Sequence, residues 1–350
     1  MDGDVEVEDG RVVAIGRSPA GRGTAAPGFI DLQVNGFAGV DLVAADAHGY
    51  RSAGRALAAT GVTAYQPTFI TGDPDLTCAA LARLATVMAT DSDGPRILGA
   101  HLEGPFLSPR RAGTHPTGWL TDPDAALIGR YLDAGPVRTV TLAPELPGGL
   151  DAINQLVAAG VVVCCGHTDA DAATANEAFD RGARSVTHLF NAMRPFSHRD
   201  PGIAAVALTR ADVSVPMIVD GIHLATQAVQ LAWSAAGDRV VLVTDATAAA
   251  GMPDGPFRLG DVTVEKVGLE VRRGDGTLAG SALTMDAAVR NAVDLGVDIA
   301  AALHAASTAP AATLGLAPFG TLDVGTPADV VVLDDHLAVT RVLRGGEEIA

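Results

Sequence analysis

Eight short apolar runs recur along this 350-residue chain, and the gaps between them often hold Ala- and Leu-rich stretches at helical spacing. The clearest helical stretches are residues 124–135 and 173–183. The runs are continuously apolar, as is typical of strands covered on both faces. They span residues 28–35, 62–69, 97–103, 139–145, 161–167, 185–190, 214–220 and 240–246. This alternation predicts an α/β fold, a (β/α)8 TIM-type barrel, and leaves a doubly wound open sheet as the alternative.

The two ends of the chain follow a different pattern. Residues 4–15 predict a hairpin of alternating valines around an Asp-Gly turn, and residues 328–350 show a similar strand pattern. Because isolated strand pairs are only marginally stable, we expect the two ends to pair with each other. Strand-like pieces in residues 258–280 predict an extra hairpin. The predicted domains are a small β domain of residues 1–26 and 316–350 and a (β/α)8 barrel domain of residues 27–315.

Charge and composition exclude several classes of partner. The formal net charge is −17, so the chain repels phosphate backbones and anionic lipid surfaces. No apolar run approaches the length of a bilayer span, and the acidic first residues do not resemble a signal peptide. Only three cysteines occur, two of them adjacent, so no disulfide framework is indicated. We therefore predict a cytoplasmic protein without nucleic-acid or membrane partners.

Polar residues lie where the predicted strands end. Glu103 ends the third run, Glu145 the fourth and His167 the fifth, while His188 lies in the sixth and Asp245 near the end of the eighth. In a barrel these ends meet at one rim, where active sites are built. Each residue alone has an ordinary explanation as a helix cap or turn residue, but a metal centre explains them together. Imidazole and carboxylate ligands suit a divalent first-row ion, and three of them leave a position for the water that hydrolysis requires.

Ten short motifs occur in order along nearly the whole chain. They are PGFIDLQVNG (27–36), HLEGPF (101–106), GTHP (113–116), TLAPE (141–145), GHTDA (166–170), THLFNAM (187–193), RDPG (199–202), DGIHL (220–224), VTDATAAAG (243–251) and LAGSALTM (278–285). Together they resemble the N-acetylglucosamine-6-phosphate deacetylase family of the amidohydrolase superfamily. The resemblance implies metal-dependent hydrolysis of the acetamide of N-acetylglucosamine 6-phosphate to glucosamine 6-phosphate and acetate.

The resemblance also implies roles for individual residues. Asp245 matches the catalytic acid/base, and His115 matches the histidine that helps the metal to polarise the acetyl carbonyl. The metal ligands match Glu103, His167 and His188. The contacts to sugar and phosphate match Asn191, the backbone at Ala192, Arg199 and His223. In the family the arginine of the RDPG motif reaches the site of a neighbouring subunit, so the resemblance implies a homodimer.

The first predicted strand bears on the number of metal ions. It carries Gln33 and Asn35 where many amidohydrolases have the two histidines that hold a second metal. Neutral amides are weak ligands for zinc-like ions, so we predict that both bind water or substrate instead. The only lysine, Lys266, lies after the eighth run, which excludes a carboxylated-lysine bridge on the fourth strand. We predict one divalent ion per chain, zinc in preference to iron, manganese or cobalt.

Three other functions stay open at the level of the sequence. One is a deacetylase of another N-acetyl amino-sugar phosphate, such as the galactosamine isomer, and another is an amidohydrolase acting on a cyclic amide. The third is a non-catalytic sugar-phosphate binder, against which the retention of every candidate ligand argues. The loop of residues 104–113 is interpreted as either a mobile cover or an ordinary surface loop.

Overall fold

The fold is described by a computed structural model for residues 4–16, 23–90 and 94–350. The strands are β1 (Val5–Glu8), β2 (Arg11–Ile15), β3 (Thr24–Pro27), β4 (Phe29–Val34), β5 (Gly36–Phe37), β6 (Val40–Asp41), β7 (Val62–Ile70), β8 (Arg96–Ile97), β9 (Ala100–Glu103), β10 (Val137–Leu142), β11 (Val162–Cys165), β12 (Ser185–Val186), β13 (Val215–Met217), β14 (Val240–Leu242), β15 (Gly255–Leu259), β16 (Val262–Val267), β17 (Glu270–Arg272), β18 (Val330–Leu333), β19 (Val339–Arg344) and β20 (Glu347–Glu348). The α-helices are α1 (Ala47–Ala58), α2 (Pro74–Met88), α3 (Ala125–Ala134), α4 (Gly149–Ala158), α5 (Ala172–Asp180), α6 (Gly202–Thr209), α7 (Thr226–Ala236), α8 (Met285–Asp294), α9 (Ile299–Ala306) and α10 (Thr308–Thr313).

The central strands form a curled parallel sheet in the order β12-β11-β10-β9-β7-β4. A parallel bridge from Ser185 to Ser214 extends it towards β13, which pairs with β14. A second parallel bridge, from Val34 to Ala246, brings the segment after β14 back to β4. An open doubly wound sheet would leave β4 and β14 without this contact. The predicted α/β, barrel-like architecture is confirmed.

The burial of these strands explains their continuous apolar sequence. Every residue of β4 and of β7 is buried, because side chains on one face fill the barrel and those on the other meet the helices. The two clearest predicted helices appear as α3 and α5. In α5 the buried residues are Ala175, Ala178 and Phe179, a spacing of three and four that places them on one face. The Asp171 side chain caps this helix by accepting a hydrogen bond from the Thr174 N–H.

The C-terminal strands pair with β3, whereas the predicted N-terminal hairpin forms a separate two-stranded sheet. Strands β20, β19, β18 and β3 form a four-stranded antiparallel sheet in that order. The hairpin of β1 and β2 contacts the C-terminal segment through the bridge from Arg11 to Pro327. The domain division between residues 1–26 with 316–350 and residues 27–315 stays a prediction, and residues 1–3 and 17–22 of it lie outside the described residues.

The segment between β14 and α8 adds a third small sheet. Strands β15, β16 and β17 form an antiparallel meander of three strands where the sequence indicated a hairpin. Its buried residues Leu259, Val264 and Val271 form a separate apolar cluster with Ile70, at the end of β7. The meander therefore stands against the rim of the barrel. In the described ranges of the chain, no helix combines the length and the apolar content needed to cross a bilayer.

Candidate metal centre and active-site cleft

Three candidate metal-ligand side chains converge at the carboxyl ends of the parallel strands β9, β11 and β12. Glu103 is the last residue of β9, and His167 and His188 lie two residues beyond β11 and β12. Their ligand atoms lie within 4.8 Å of one another. Glu103 Oε1 is 3.1 Å from the Nε2 atoms of both histidines, and the two Nε2 atoms are 3.2 Å apart. All three side chains are buried, so water does not screen their charges and lone pairs.

The protonation of His167 can be assigned from its partners. Its Nδ1 lies 2.9 Å from the carbonyl oxygen of Arg111, which can only accept a hydrogen bond. Nδ1 therefore carries the proton, and the lone pair of Nε2 points at Glu103 and His188. One carboxylate oxygen and two imidazole nitrogens this close together form a donor set that fits a divalent ion.

The backbone at the rim is locally strained. His167, His188 and Asp245 have φ angles of +46°, +32° and +50°, and Ala192 has +50°. Residues other than glycine rarely adopt this left-handed region, and they persist there only where the surroundings hold them. Such residues cluster at functional sites. Here three of the four carry side chains of the candidate centre, each placed just after a barrel strand ends.

Asp245 lies three residues beyond β14 and faces the same centre. Its Oδ1 accepts hydrogen bonds from Asn35 Nδ2 at 2.6 Å and from Gln33 Nε2 at 3.2 Å. The Gln33 amide also donates to Glu103 Oε1 at 3.1 Å, so it connects the two carboxylates. Burial, and after it the negative charge of Glu103, raises the pKa of Asp245 to about 7. A carboxyl group with such a pKa can both take up and release a proton near neutral pH.

His115 presents a proton to the centre. Its Nδ1 lies 2.9 Å from the Thr71 hydroxyl and 3.3 Å from the Thr71 backbone N–H. Because the backbone N–H can only donate, Nδ1 is the acceptor and the neutral ring carries its proton on Nε2. Burial and the neighbouring His167 lower the pKa of His115 to about 3, which keeps the ring neutral. Nε2 lies 3.8 Å from Glu103 Oε2 and therefore faces the metal-ligand group. Thr71, whose backbone N–H and hydroxyl both contact His115 Nδ1, was not indicated by the sequence.

His223 is oriented by a neighbouring carboxylate. Its Nδ1 lies 2.7 Å from Asp220 Oδ2, and its backbone N–H donates to Asp220 Oδ1 at 2.8 Å. Burial raises the pKa of Asp220, but the bonds from His223 outweigh that effect and lower it overall. The charged carboxylate therefore fixes the orientation of the imidazole in the segment that follows β13.

These side chains line a cleft of about 320 Å³. Of the predicted substrate contacts, Asn35, Asn191, Ala192 and His223 line it. Gln33 is buried behind the two carboxylates, and Arg199 is exposed outside the lining. The sequence did not indicate the other lining residues: Ile70, Arg110, Arg111, Gly113, Thr114, Ile218, Leu259, Thr277, Leu278 and Gly280. Clefts of about 370 and 920 Å³ elsewhere contain none of the metal-ligand or acid/base side chains.

The sequence model of the Amidohydrolase family matches residues 24–349. The chain belongs to the amidohydrolase family. The predicted resemblance is confirmed, and the metal-ligand group lies at the barrel rim of this amidohydrolase.

This amidohydrolase is similar to several deacetylases of N-acetyl amino-sugar phosphates. It is 41% identical over 357 residues to human N-acetylglucosamine-6-phosphate deacetylase, a match covering 96% of this chain and 86% of the human protein. It is 36% identical over 355 residues to N-acetylgalactosamine-6-phosphate deacetylase of Escherichia coli O157:H7, covering 99% and 94%. A solved structure is an aspartate-to-alanine variant of N-acetyl-D-glucosamine-6-phosphate deacetylase from Mycobacterium smegmatis in complex with N-acetyl-D-glucosamine-6-phosphate. It is 40% identical, with a TM-score of 0.93 and coverage of 99% of this chain and 94% of that one.

Proposed function

We propose that this chain hydrolyses the acetamide of N-acetylglucosamine 6-phosphate to glucosamine 6-phosphate and acetate. The observation that carries the proposal is the convergence of Glu103, His167 and His188 beside the Asp245 carboxylate in one buried cleft. Relatives named for this reaction match nearly the whole chain at about 40% identity. One such relative is known in complex with that sugar phosphate.

The proposed metal site consists of Glu103 and the Nε2 atoms of His167 and His188. A divalent ion bound there acidifies water and polarises the acetyl carbonyl. Zinc, in preference to iron, manganese or cobalt, suits a set of two imidazoles and one carboxylate. One ion per chain is proposed because Gln33 and Asn35 direct amide N–H groups, which cannot act as metal ligands, at the carboxylates.

Asp245 is the proposed acid/base. Water adds to the acetamide carbon while Asp245 takes its proton, and the C–N bond of the tetrahedral adduct then breaks as Asp245 returns the proton to the departing amine. The amides of Asn35 and Gln33 hold Oδ1 and so fix the direction of the carboxyl group. This arrangement requires a pKa near neutrality, which the burial of Asp245 provides.

His115 is the proposed donor to the acetyl oxygen. As negative charge develops on that oxygen, the Nε2–H of a neutral, buried imidazole stabilises it at little reorganisation cost. The Thr71 N–H bond to Nδ1 keeps this proton on the face towards the centre.

The proposed contacts to the sugar and the phosphate are Asn191, the backbone at Ala192, and His223, all of which line the cleft. Arg199 is exposed and lies outside the cleft lining of its own chain, which supports a contact in the site of a neighbouring subunit. We propose a homodimer on this ground. A cytoplasmic location and the division into a barrel and a terminal β domain are further parts of the proposal.

The test is acetate release from N-acetylhexosamines with and without a 6-phosphate. The highest kcat/KM is expected for the phosphorylated glucosamine derivative. A higher value for the galactosamine epimer would instead support the second candidate function, which the similarity to the Escherichia coli enzyme favours. Absence of acetate release from every N-acetyl sugar by metal-loaded protein would overturn both.

A further inference from the structure

A side-chain pair next to the centre takes no part in the reaction described above. We propose that Arg111 and Asp169 are positioning residues that hold the His167 imidazole in its metal-binding orientation, and that they link the loop of residues 104–113 to metal retention. The inference rests on the metal site of the proposed function.

The loop is joined to His167 at two points. The Ser108 N–H donates to the His167 carbonyl oxygen at 2.9 Å. The His167 Nδ1–H donates to the Arg111 carbonyl oxygen, also at 2.9 Å. The second bond sets both the tautomer and the ring direction of a metal-binding histidine, and loss of such a bond weakens metal binding. The position of one loop carbonyl therefore decides how well Nε2 faces Glu103.

The residue that supplies this carbonyl is itself held by its side chain. Nε and Nη2 of Arg111 donate to Asp169 Oδ1 at 2.9 and 2.7 Å. The Asp169 side chain is 13% exposed and that of Arg111 28%, so the ion pair is shielded better than an ordinary surface pair. Asp169 stands two residues after His167. The contacts thus form a closed ring, from His167 to the Arg111 carbonyl, through the guanidinium to Asp169, and along the backbone to His167.

The barrel rim anchors the other side of this ring. Glu145, three residues beyond β10, accepts the Asp169 N–H on Oε1 at 2.6 Å and the Thr168 hydroxyl on Oε2. His167 has a left-handed φ of +46°, which has to be held by its surroundings. Glu145 holds the backbone that follows it, and Arg111 holds the ring.

The loop and the histidine therefore behave as one unit. If residues 104–113 move away, His167 Nδ1 loses its acceptor and the ring is free to change its tautomer or rotate. By linkage, whatever opens the loop weakens metal binding, and a bound metal favours the closed loop. Arg110 provides a matched comparison. It contacts the same carboxylate, with Nη1 to Asp169 Oδ2 at 3.3 Å, but its side chain is 81% exposed and its carbonyl is not the partner of His167.

The experiment compares Arg111→Gln with Arg110→Gln, which remove the same charge from adjacent positions. Zinc affinity is measured by competition with a chromophoric chelator, in the absence of substrate. Arg111→Gln should raise the Kd for zinc by about 10- to 100-fold. Arg110→Gln should change it by less than about fivefold. Asp169→Asn should also raise the Kd, because it removes the charge with which Arg111 pairs, and the double variant should lose less than the sum of the two single changes.

A positioning role also predicts an unchanged fold. The melting temperature of the metal-free variants should stay within about 4 °C of metal-free wild type. Wild-type zinc affinity in Arg111→Gln, or an equal loss in Arg110→Gln, would overturn the inference. If Arg111→Gln does not fold, Asp169→Asn, which keeps the side-chain shape, decides the matter. If the zinc affinities of wild type and variants follow this order but the wild-type protein releases no acetate, only the proposed activity is overturned. If the wild-type protein does not retain zinc, both proposals are overturned.

Discussion

The rim of the barrel has two halves with opposite chemistry. The metal half, which is the candidate ligand set Glu103, His167 and His188, places a carboxylate oxygen and two imidazole Nε2 atoms at distances of 3.1 and 3.2 Å. The amide half, Gln33 and Asn35, places N–H groups against carboxylates at 2.6 to 3.2 Å. Both halves are buried and both use positions at or just beyond strand ends. A position near a strand end therefore brings a side chain to the centre. The type of side chain decides whether a cation or an amide proton balances the buried charge.

The number of metal ions bound per chain is the largest expected difference between the two halves. We expect dialysed wild-type protein to hold about one divalent ion per chain, since only the metal half supplies donors of the kind such ions prefer. His188→Ala should bring the ratio towards zero and abolish acetate release. Elemental analysis of dialysed samples measures both ratios. A wild-type ratio near two that survives dialysis with full activity would remove the distinction between the halves.

The second prediction concerns Asp245, the carboxylate that accepts hydrogen bonds from the amide half and is not one of the proposed metal ligands. Asp245→Asn keeps the size of the side chain and removes its basicity, so kcat should fall by roughly 10²-fold or more. Metal content should stay near that of wild type. Steady-state kinetics and elemental analysis on the same preparation test the two statements. If the variant loses its metal, Asp245 belongs with the metal half.

The third prediction concerns Arg199, which belongs to neither half. Arg199→Ala should raise KM for the phosphorylated sugar by roughly tenfold, because a charge-assisted contact contributes about 1.5–3 kcal/mol. Turnover of an unphosphorylated N-acetyl sugar should hardly change. Kinetics on the two substrates make the comparison. Equal losses on both would mean that Arg199 supports the fold or the reaction centre rather than the phosphate.

The smallest effect is expected within the amide half and depends on pH. Protonated Asp245 cannot accept a proton, so activity falls as the pH falls through its pKa. The Asn35 hydrogen bond favours the charged carboxylate, so Asn35→Ala should raise this pKa and move the acid limb of kcat/KM to higher pH. A divalent cation in the site would lower the pKa of Asp245 in both proteins, so both acid limbs of kcat/KM would lie at lower pH.

At pH values on the acid limb the Asn35→Ala variant should be about 2- to 10-fold slower than wild type, as for the loss of one hydrogen bond. At higher pH the two profiles should converge. Parallel pH profiles without a shift would show that Asn35 acts on the substrate rather than on Asp245.

Local pattern accounts for much of what the sequence predicted. The apolar runs form barrel strands, and the stretches at 124–135 and 173–183 form α3 and α5. Both outcomes could be predicted because the spacing of apolar residues is a local property of the sequence. Glu103, His167 and His188 lie together at the rim, as expected where the carboxyl ends of parallel strands meet. The choice of these three as metal ligands came from the family resemblance and stays a prediction. Glu145, which the same rule placed there, instead holds the backbone at Thr168 and Asp169.

Local sequence patterns therefore specify the strands, their order at the rim and the residue types that lie there. How those groups are protonated and oriented depends on contacts between segments that are distant in the sequence. The Thr71 hydroxyl and backbone N–H contact His115 Nδ1 from 44 residues away. The Arg111 carbonyl that sets the His167 tautomer is a backbone group 56 residues away from that ring. Every residue carries such groups, so no sequence pattern marks the ones that matter. Their roles arise from distances and directions that exist only once the strands and loops have packed together.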